Sequence, residues 1–367
     1  LTSLVLTIQE TLRYRGKIGQ WSWVAHRISG LGVVLFLTLH VFGVAWSVFY
    51  PELWEKSVAV YQSPLFTLGE FALIACVIYH AYNGLRISIL DARPPLWKYQ
   101  RRAANIVIVA TVITLLPIFA LMVNHVLHFY GAGPSTLGLD KVIEKLLPFV
   151  VGIPLAIIAA ILLSGAYGLI AGDRAGKAGA RRHGSRAERF WWSYMRLSGV
   201  LIVPLVFGHL ALMHVIQGVF ALTQPGATIA GVPVIADAAG VLVNGINNSG
   251  TAVEYVAERW NFLMAGVAVW RLYDFALLAL VVIHGFNGLR YVLTDYTMNN
   301  PLMRRASLYL CVVGAVVLLV MGGGALLGTI TDSAVRIAEE TRIELFGPDG
   351  GHSVPPETSS LTIPSGS

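Results

Sequence analysis

Long apolar runs alternate along this chain with short stretches rich in arginine and lysine. Seven runs reach the roughly 20 residues that a bilayer crossing requires. They lie near 28–50, 66–90, 104–129, 146–171, 197–222, 268–293 and 306–330. The pattern predicts an all-α polytopic membrane helix bundle with seven transmembrane helices. The segments between the runs are 1–27, 91–103, 172–196 and 294–305 on one side, and the 223–267 loop and the 331–367 tail on the other.

Composition strengthens this reading. Of the 367 residues 56% are hydrophobic and only 13% charged, more apolar surface than a soluble domain can bury. Most of the 26 basic residues fall on the first side, with few of the 20 acids. That enrichment predicts a cytoplasmic N-terminus and an extracytoplasmic C-terminus. The net charge of +6 is then a property of cytoplasmic loops and not a sign of nucleic-acid binding. The loop containing Arg174, Lys177, Arg181, Arg182, Arg186 and Arg189 contributes most. Residues 1–22 are too polar for a signal-peptide core. The last dozen residues, rich in Ser, Pro and Thr, read as disordered. Cys76 and Cys311 lie in apolar runs and offer neither a disulfide framework nor a thiolate metal site.

The chain repeats itself. "HRISGLGVVLFLTLH" (26–40) aligns without gaps with "MRLSGVLIVPLVFGH" (195–209). "EFALIACVIYHAYNGLRISILD" (70–91) aligns likewise with "DFALLALVVIHGFNGLRYVLTD" (274–295). Each repeat has three helices and ends on the side opposite its start. Two repeats in parallel orientation therefore need one extra crossing, which the run at 146–171 supplies. The expected organisation is a first three-helix repeat (1–130), a connector with one helix and a basic loop (131–185), a second repeat (186–330) and a tail (331–367).

The repeats match His40 with His209 and His80 with His284. Histidine in hydrocarbon is costly and usually functional, and four at matched positions point beyond chance packing. Facing helices of a bundle commonly supply two axial imidazoles to haem iron. Counting from Arg27 and Arg86 at about 1.5 Å rise per residue, His40 lies roughly 20 Å and His80 roughly 9 Å deep. Two haems, one above the other, are expected. Arg27, Arg196, Arg86 and Arg290, with His26, sit where haem propionates would emerge; positive-inside anchoring explains any single one equally well. His214 follows His209 by five residues and shares its helix face poorly, so it reads as a spare. His125 and His128 read as interfacial. Glu70 and Asp274, matched acids at outer helix ends, are candidates for a distal proton or quinone role; ordinary helix N-terminal acids are an equally good account.

"HRISG" followed by "HAYNGLR", and "HGFNGLRYVLTDY" in the second half, resemble the cytochrome b membrane anchors of succinate:quinone oxidoreductase (complex II) and fumarate reductase. The first half is similar to the larger anchor subunit and the second to the smaller, so the chain resembles a fusion of the two. The resemblance implies a diheme cytochrome b that passes electrons between a quinone, menaquinone or ubiquinone, and an iron–sulfur subunit. A flavoprotein subunit carrying FAD would hold the succinate chemistry. It implies a quinone site formed by Arg27, Asp295 and Tyr296. The serine usual four residues before the arginine is replaced by Trp23, with Ser22 beside it. Membrane lipid is a further expected contact, and a homo-oligomer of the complex stays open. The implied location is a bacterial or archaeal cytoplasmic membrane. Two other readings remain: a cytochrome b serving a hydrogenase or formate dehydrogenase, and a haem-free transporter.

Overall fold

A computed structural model describes residues 16–131, 139–171, 186–216, 218–228, 246–297 and 299–347. Within Leu139–Ala171, side chains are described at 147, 150–170 only. The basic-loop positions 172–185 and the tail residues 348–367 lie outside the described residues, and with them the expectation of a disordered end.

Eleven α-helices are described: α1 (Ile18–Phe49), α2 (Pro51–Tyr61), α3 (Pro64–Ala92), α4 (Gln100–Gly131), α5 (Leu139–Ala171), α6 (Arg186–Leu210), α7 (Gly218–Ala221), α8 (Ala252–Asn261), α9 (Val269–Thr297), α10 (Pro301–Leu327) and α11 (Asp332–Phe346). Among the described residues, seven helices are long and apolar enough to cross a membrane: α1, α3, α4, α5, α6, α9 and α10. The chain is an all-α, multi-pass membrane bundle, as the apolar runs predict. Prolines 51, 64 and 301 open their helices, where a missing N–H costs nothing. Asn300 Oδ1 accepts from Met303 N at 3.2 Å and caps α10.

Four helices form the centre. α1 packs on α3 and α9, and α6 packs on the same two. Each first helix of a repeat thus touches both second helices. α4 lies outside against α3, and α10 against α9, α1 and α5. Lipid-facing positions are correspondingly exposed and apolar, for example Leu162 and Leu169 on α5.

Two boundaries differ from the hydropathy pattern. α1 begins at Ile18, ten residues before the predicted run, because Trp21, Trp23 and Arg27 extend the helix into the interface, where amphipathic side chains are favoured. The fifth crossing does not run unbroken to 222. α6 ends at Leu210, passes into a π-helical turn over Ala211–Ile216, and then α7 opens at Gly218 with φ +71. Only glycine adopts that conformation without strain.

At the end away from Arg27, α2, α8 and α11 pack on one another. Trp54, Val58, Val253, Val256, Trp260, Ala334 and Ala338 join the core of the bundle there. Glu55, fully buried, accepts the Ala252 N–H at 3.0 Å and lies 3.4 Å from Arg342 Nη1. The predicted outer loop and tail therefore contain a small helical cap.

Candidate functional site

The histidines fall into two groups along the bundle. At the arginine end, His80 on α3 faces α1. Its Nδ1 is 3.1 Å from the His26 carbonyl and 3.4 Å from Ser29 Oγ. A carbonyl only accepts, so Nδ1 carries the proton and Nε2 keeps its lone pair. The His26 ring stacks on His80 at 3.9 Å, nearly parallel. The second half repeats the device. Ser198 Oγ donates to Tyr194 O at 2.6 Å and so accepts from His284 Nδ1 at 2.9 Å, again leaving Nε2 free. Holding Nδ1 in this way fixes the tautomer and orientation of a metal-binding imidazole.

Glycines admit both rings. A methyl group at Gly30 would sit 2.8 Å from His80 Cε1, and one at Gly199 would sit 3.3 Å from His284 Cε1. The Gly of each "SG" pair therefore makes room for the histidine of its own half.

The arginines near these rings cross between halves. Arg27 pairs with Asp295, and Arg196 with Asp91. Each first-helix arginine thus takes the second-helix aspartate of the other repeat. Each guanidinium also lies over a tryptophan one turn earlier, Arg27 on Trp23 at 4.0 Å and Arg196 on Trp192 at 3.4 Å. Trp23 is thus half of a matched pair, a signal present in the repeat but passed over by the motif reading. Arg290 is held by Asn287 and Glu188. Arg86 differs: its Nε and Nη1 are buried with no hydrogen-bond partner among the described residues, and His26 Nδ1 is in the same state.

The residues expected at the quinone site do not all meet. Arg27, Asp295 and Trp23 come together. Tyr296 is 70% exposed on the adjoining surface. Ser22 points inward, donating to Asn83 Oδ1 at 2.8 Å beside Tyr79. Asn83 and Tyr79 escaped the sequence reading, although Asn83 stands in "HAYNGLR" opposite Asn287 of "HGFNGLR".

At the far end three imidazoles gather. His40 and His209 ring centroids are 5.9 Å apart, edge to face. His214 lies 6.5 Å from His40 and 5.6 Å from His209. A π turn closes on the fifth residue, so it carries His214 to the face that an α-helix would deny it. His214 Nδ1 donates to Glu70 Oε1 at 2.5 Å, and His209 Nδ1 is buried without a partner among the described residues. Asp274 binds Arg259 at 2.9 Å and Trp260 Nε1 at 3.1 Å. His125 lies close to Gly218, at the outer end of α4. Among the described residues no three His, Cys, Asp or Glu side chains converge as a bare metal site.

Residues 9–119 match the family model described as Succinate dehydrogenase/Fumarate reductase transmembrane subunit. This stretch, less than half of the chain, is similar to that family. Within the anchor family, the "Succinate dehydrogenase 2 membrane subunit SdhC" of Mycobacterium tuberculosis is 41% identical over 88 residues, 24% of this chain and 65% of that one. The "Succinate dehydrogenase hydrophobic membrane anchor subunit" of Halobacterium salinarum is 27% identical over 74 residues, 20% of this chain and 57% of that one. The chain thus covers less than two thirds of either relative. No solved structure matches. The anchor-family match includes α1 and α3, and so His26, Arg27, His40, His80 and Arg86.

Proposed function

We propose that this chain is the diheme cytochrome b anchor of a succinate:quinone oxidoreductase, with both anchor units in one polypeptide. The observation that carries it is the matched pair His80 and His284, each with Nδ1 fixed and Nε2 free. Two haem b groups fit the donors present. His80 and His284 would hold one near the arginine end, and His40 and His209 the other. His40 and His209, with ring centroids 5.9 Å apart, would hold an iron between them. A macrocycle would supply the remaining donors, so two histidines would suffice for each haem.

When bound, the haems supply one-electron transfer across the membrane. The chain's residues do the rest. Arg86 and His26 offer the unfilled buried donors that suit propionate carboxylates, with Arg27, Arg196 and Arg290 lining the same end. Arg27, over Trp23 and beside Asp295, marks the quinone site, where Tyr296 can donate to a quinone carbonyl and Ser22 helps set α1 against α3. Menaquinone and ubiquinone both meet these requirements. A distal proton or quinone role stays with Glu70 and Asp274, the first bonded to His214 and the second to Arg259 and Trp260. The arginine end faces the cytoplasm of a bacterial or archaeal cell and docks an iron–sulfur subunit, which in turn carries the FAD flavoprotein.

The test is a reduced-minus-oxidised spectrum of the complex purified through a tag on this chain, with haem and subunits counted. Two b-type haems per chain and a covalent-flavin subunit are expected. A metal-centred partner would favour a hydrogenase or formate dehydrogenase cytochrome. A folded, haem-free chain would favour a transporter.

A further inference from the structure

The distal group holds one imidazole more than a bis-histidine haem uses. Repeat symmetry selects His209, yet its Nδ1 is buried and has no hydrogen-bond partner among the described residues. His214 is better built. A π-helical turn, rare and frequent at functional sites, displaces it onto the face of His209 and His40. Glu70, from α3 of the other half, accepts the hydrogen bond of its Nδ1–H at 2.5 Å. A carboxylate on Nδ1 fixes the tautomer, leaves Nε2 as donor and raises its basicity, which is the usual support for a metal-bound histidine. The ring distances to His40 differ little, 5.9 Å for His209 and 6.5 Å for His214.

We propose that His214, positioned by Glu70, is a second ligand-competent imidazole opposite His40, able to hold the distal iron in place of His209. The proposal rests on the diheme reading. It explains why a hydrogen bond joins the two halves at this depth, and why the second first-helix breaks from α-helical geometry just past its histidine. Either residue would offer one neutral imidazole, so the charge at the site would be the same with His214 as with His209.

Haem per chain and the low-temperature electron paramagnetic resonance of the oxidised complex decide the matter. His209→Gln keeps the side chain's bulk. It should retain two haems, with the distal signal shifted by the new ring orientation. His209→Gln with His214→Gln should retain one. Glu70→Ala on the His209→Gln background should lower distal occupancy at least twofold, because His214 loses its positioning partner. His40→Ala, which removes the shared ligand, gives the reference spectrum of a complex without distal haem. Fewer than two haems in His209→Gln, against two in the wild type, overturns the proposal. Fewer than two in the wild type itself overturns the diheme reading instead.

Discussion

The two ends of the bundle solve the burial of charge in opposite ways. At the arginine end, Arg27–Asp295 and Arg196–Asp91 cross between halves in matched fashion and stay partly open to solvent. At the far end, Glu55 and Arg342 are sealed among α2, α8 and α11, with no matched counterpart among the described residues. The first arrangement uses residues of the repeated helices only, and it keeps the repeat. The second depends on what joins the helices. The first repeat uses the single helix α2, whereas the second uses the stretch from Gly218 to Ala268. Matched helices need not give matched ends when their connections differ. The largest effect should come from breaking the sealed end. Glu55→Ala removes the buried countercharge of Arg342 and the acceptor of the Ala252 N–H. Such losses cost about 3–5 kcal/mol, seen as a lower thermal midpoint in detergent. Glu55→Leu with Arg342→Met should recover most of it, since two apolar groups leave no charge to bury. No recovery would mean that the cap depends on the ions themselves.

The sealed end should also answer to pH. Burial raises the Glu55 carboxyl from 4.5 to about 7, against the opposing pull of Arg342 and the Ala252 N–H. The folded state therefore holds a proton that the unfolded chain has released between those values. The contribution to stability is full below pH 4.5 and is lost as pH rises through 7, worth about 3 kcal/mol at 1.36 kcal/mol per unit. Burial and Glu254 also raise the Glu258 carboxyl on α8, so the readout is a difference. Thermal midpoints of wild type and Glu55→Gln should diverge with pH over that window. Parallel profiles would remove Glu55 as the source.

Within the arginine end, the glycines sharpen the comparison of halves. A methyl at Gly30 meets His80 at 2.8 Å, which forces a shift, whereas one at Gly199 meets His284 at 3.3 Å. Gly30→Ala should cost about 1–3 kcal/mol by overpacking. Gly199→Ala should cost less, because alanine's helix preference of about 1 kcal/mol offsets a mild clash. Equal thermal midpoints for the two variants would show that both rings yield alike.

The seven crossings and the matched histidines were legible because each rests on a local signal: an apolar run, or a gapless alignment. The crossed Arg–Asp pairs were not, since pairing across halves depends on how α1, α3, α6 and α9 close into a ring. Nor were α2, α8 and α11, which are short and mix charge with apolar residues in segments that hydropathy assigns to loops. The displacement of His214 was hidden for a different reason. Five-residue spacing argues against a shared face only while the helix stays α, and nothing in "HLALMHVIQG" announces a π turn. Ser22 lay next to the expected motif position, but helical phase turns it toward Asn83 and leaves Trp23 with the arginine.

The smallest effects belong to the crossed pairs, and they test how far the two halves are equivalent. Asp295 is 50% exposed and Asp91 is 17%, beside arginines at 20% and 28%. An exposed pair contributes about 0–1 kcal/mol because water already solvates both charges. Asp295→Asn should therefore leave the thermal midpoint nearly unchanged. Asp91→Asn should lower it more, because Asp91 is the more buried carboxylate and Arg196 Nε, at 2.9 Å, and Nη2 both bond to its Oδ2. The two variants should separate most clearly at low salt, where screening is weak. Quinone turnover should show the reverse order, with Asp295→Asn the more damaging, if Arg27 and Asp295 line the site. A chain in which Asp91→Asn impairs turnover as much as Asp295→Asn would instead have equivalent quinone chemistry at both crossings.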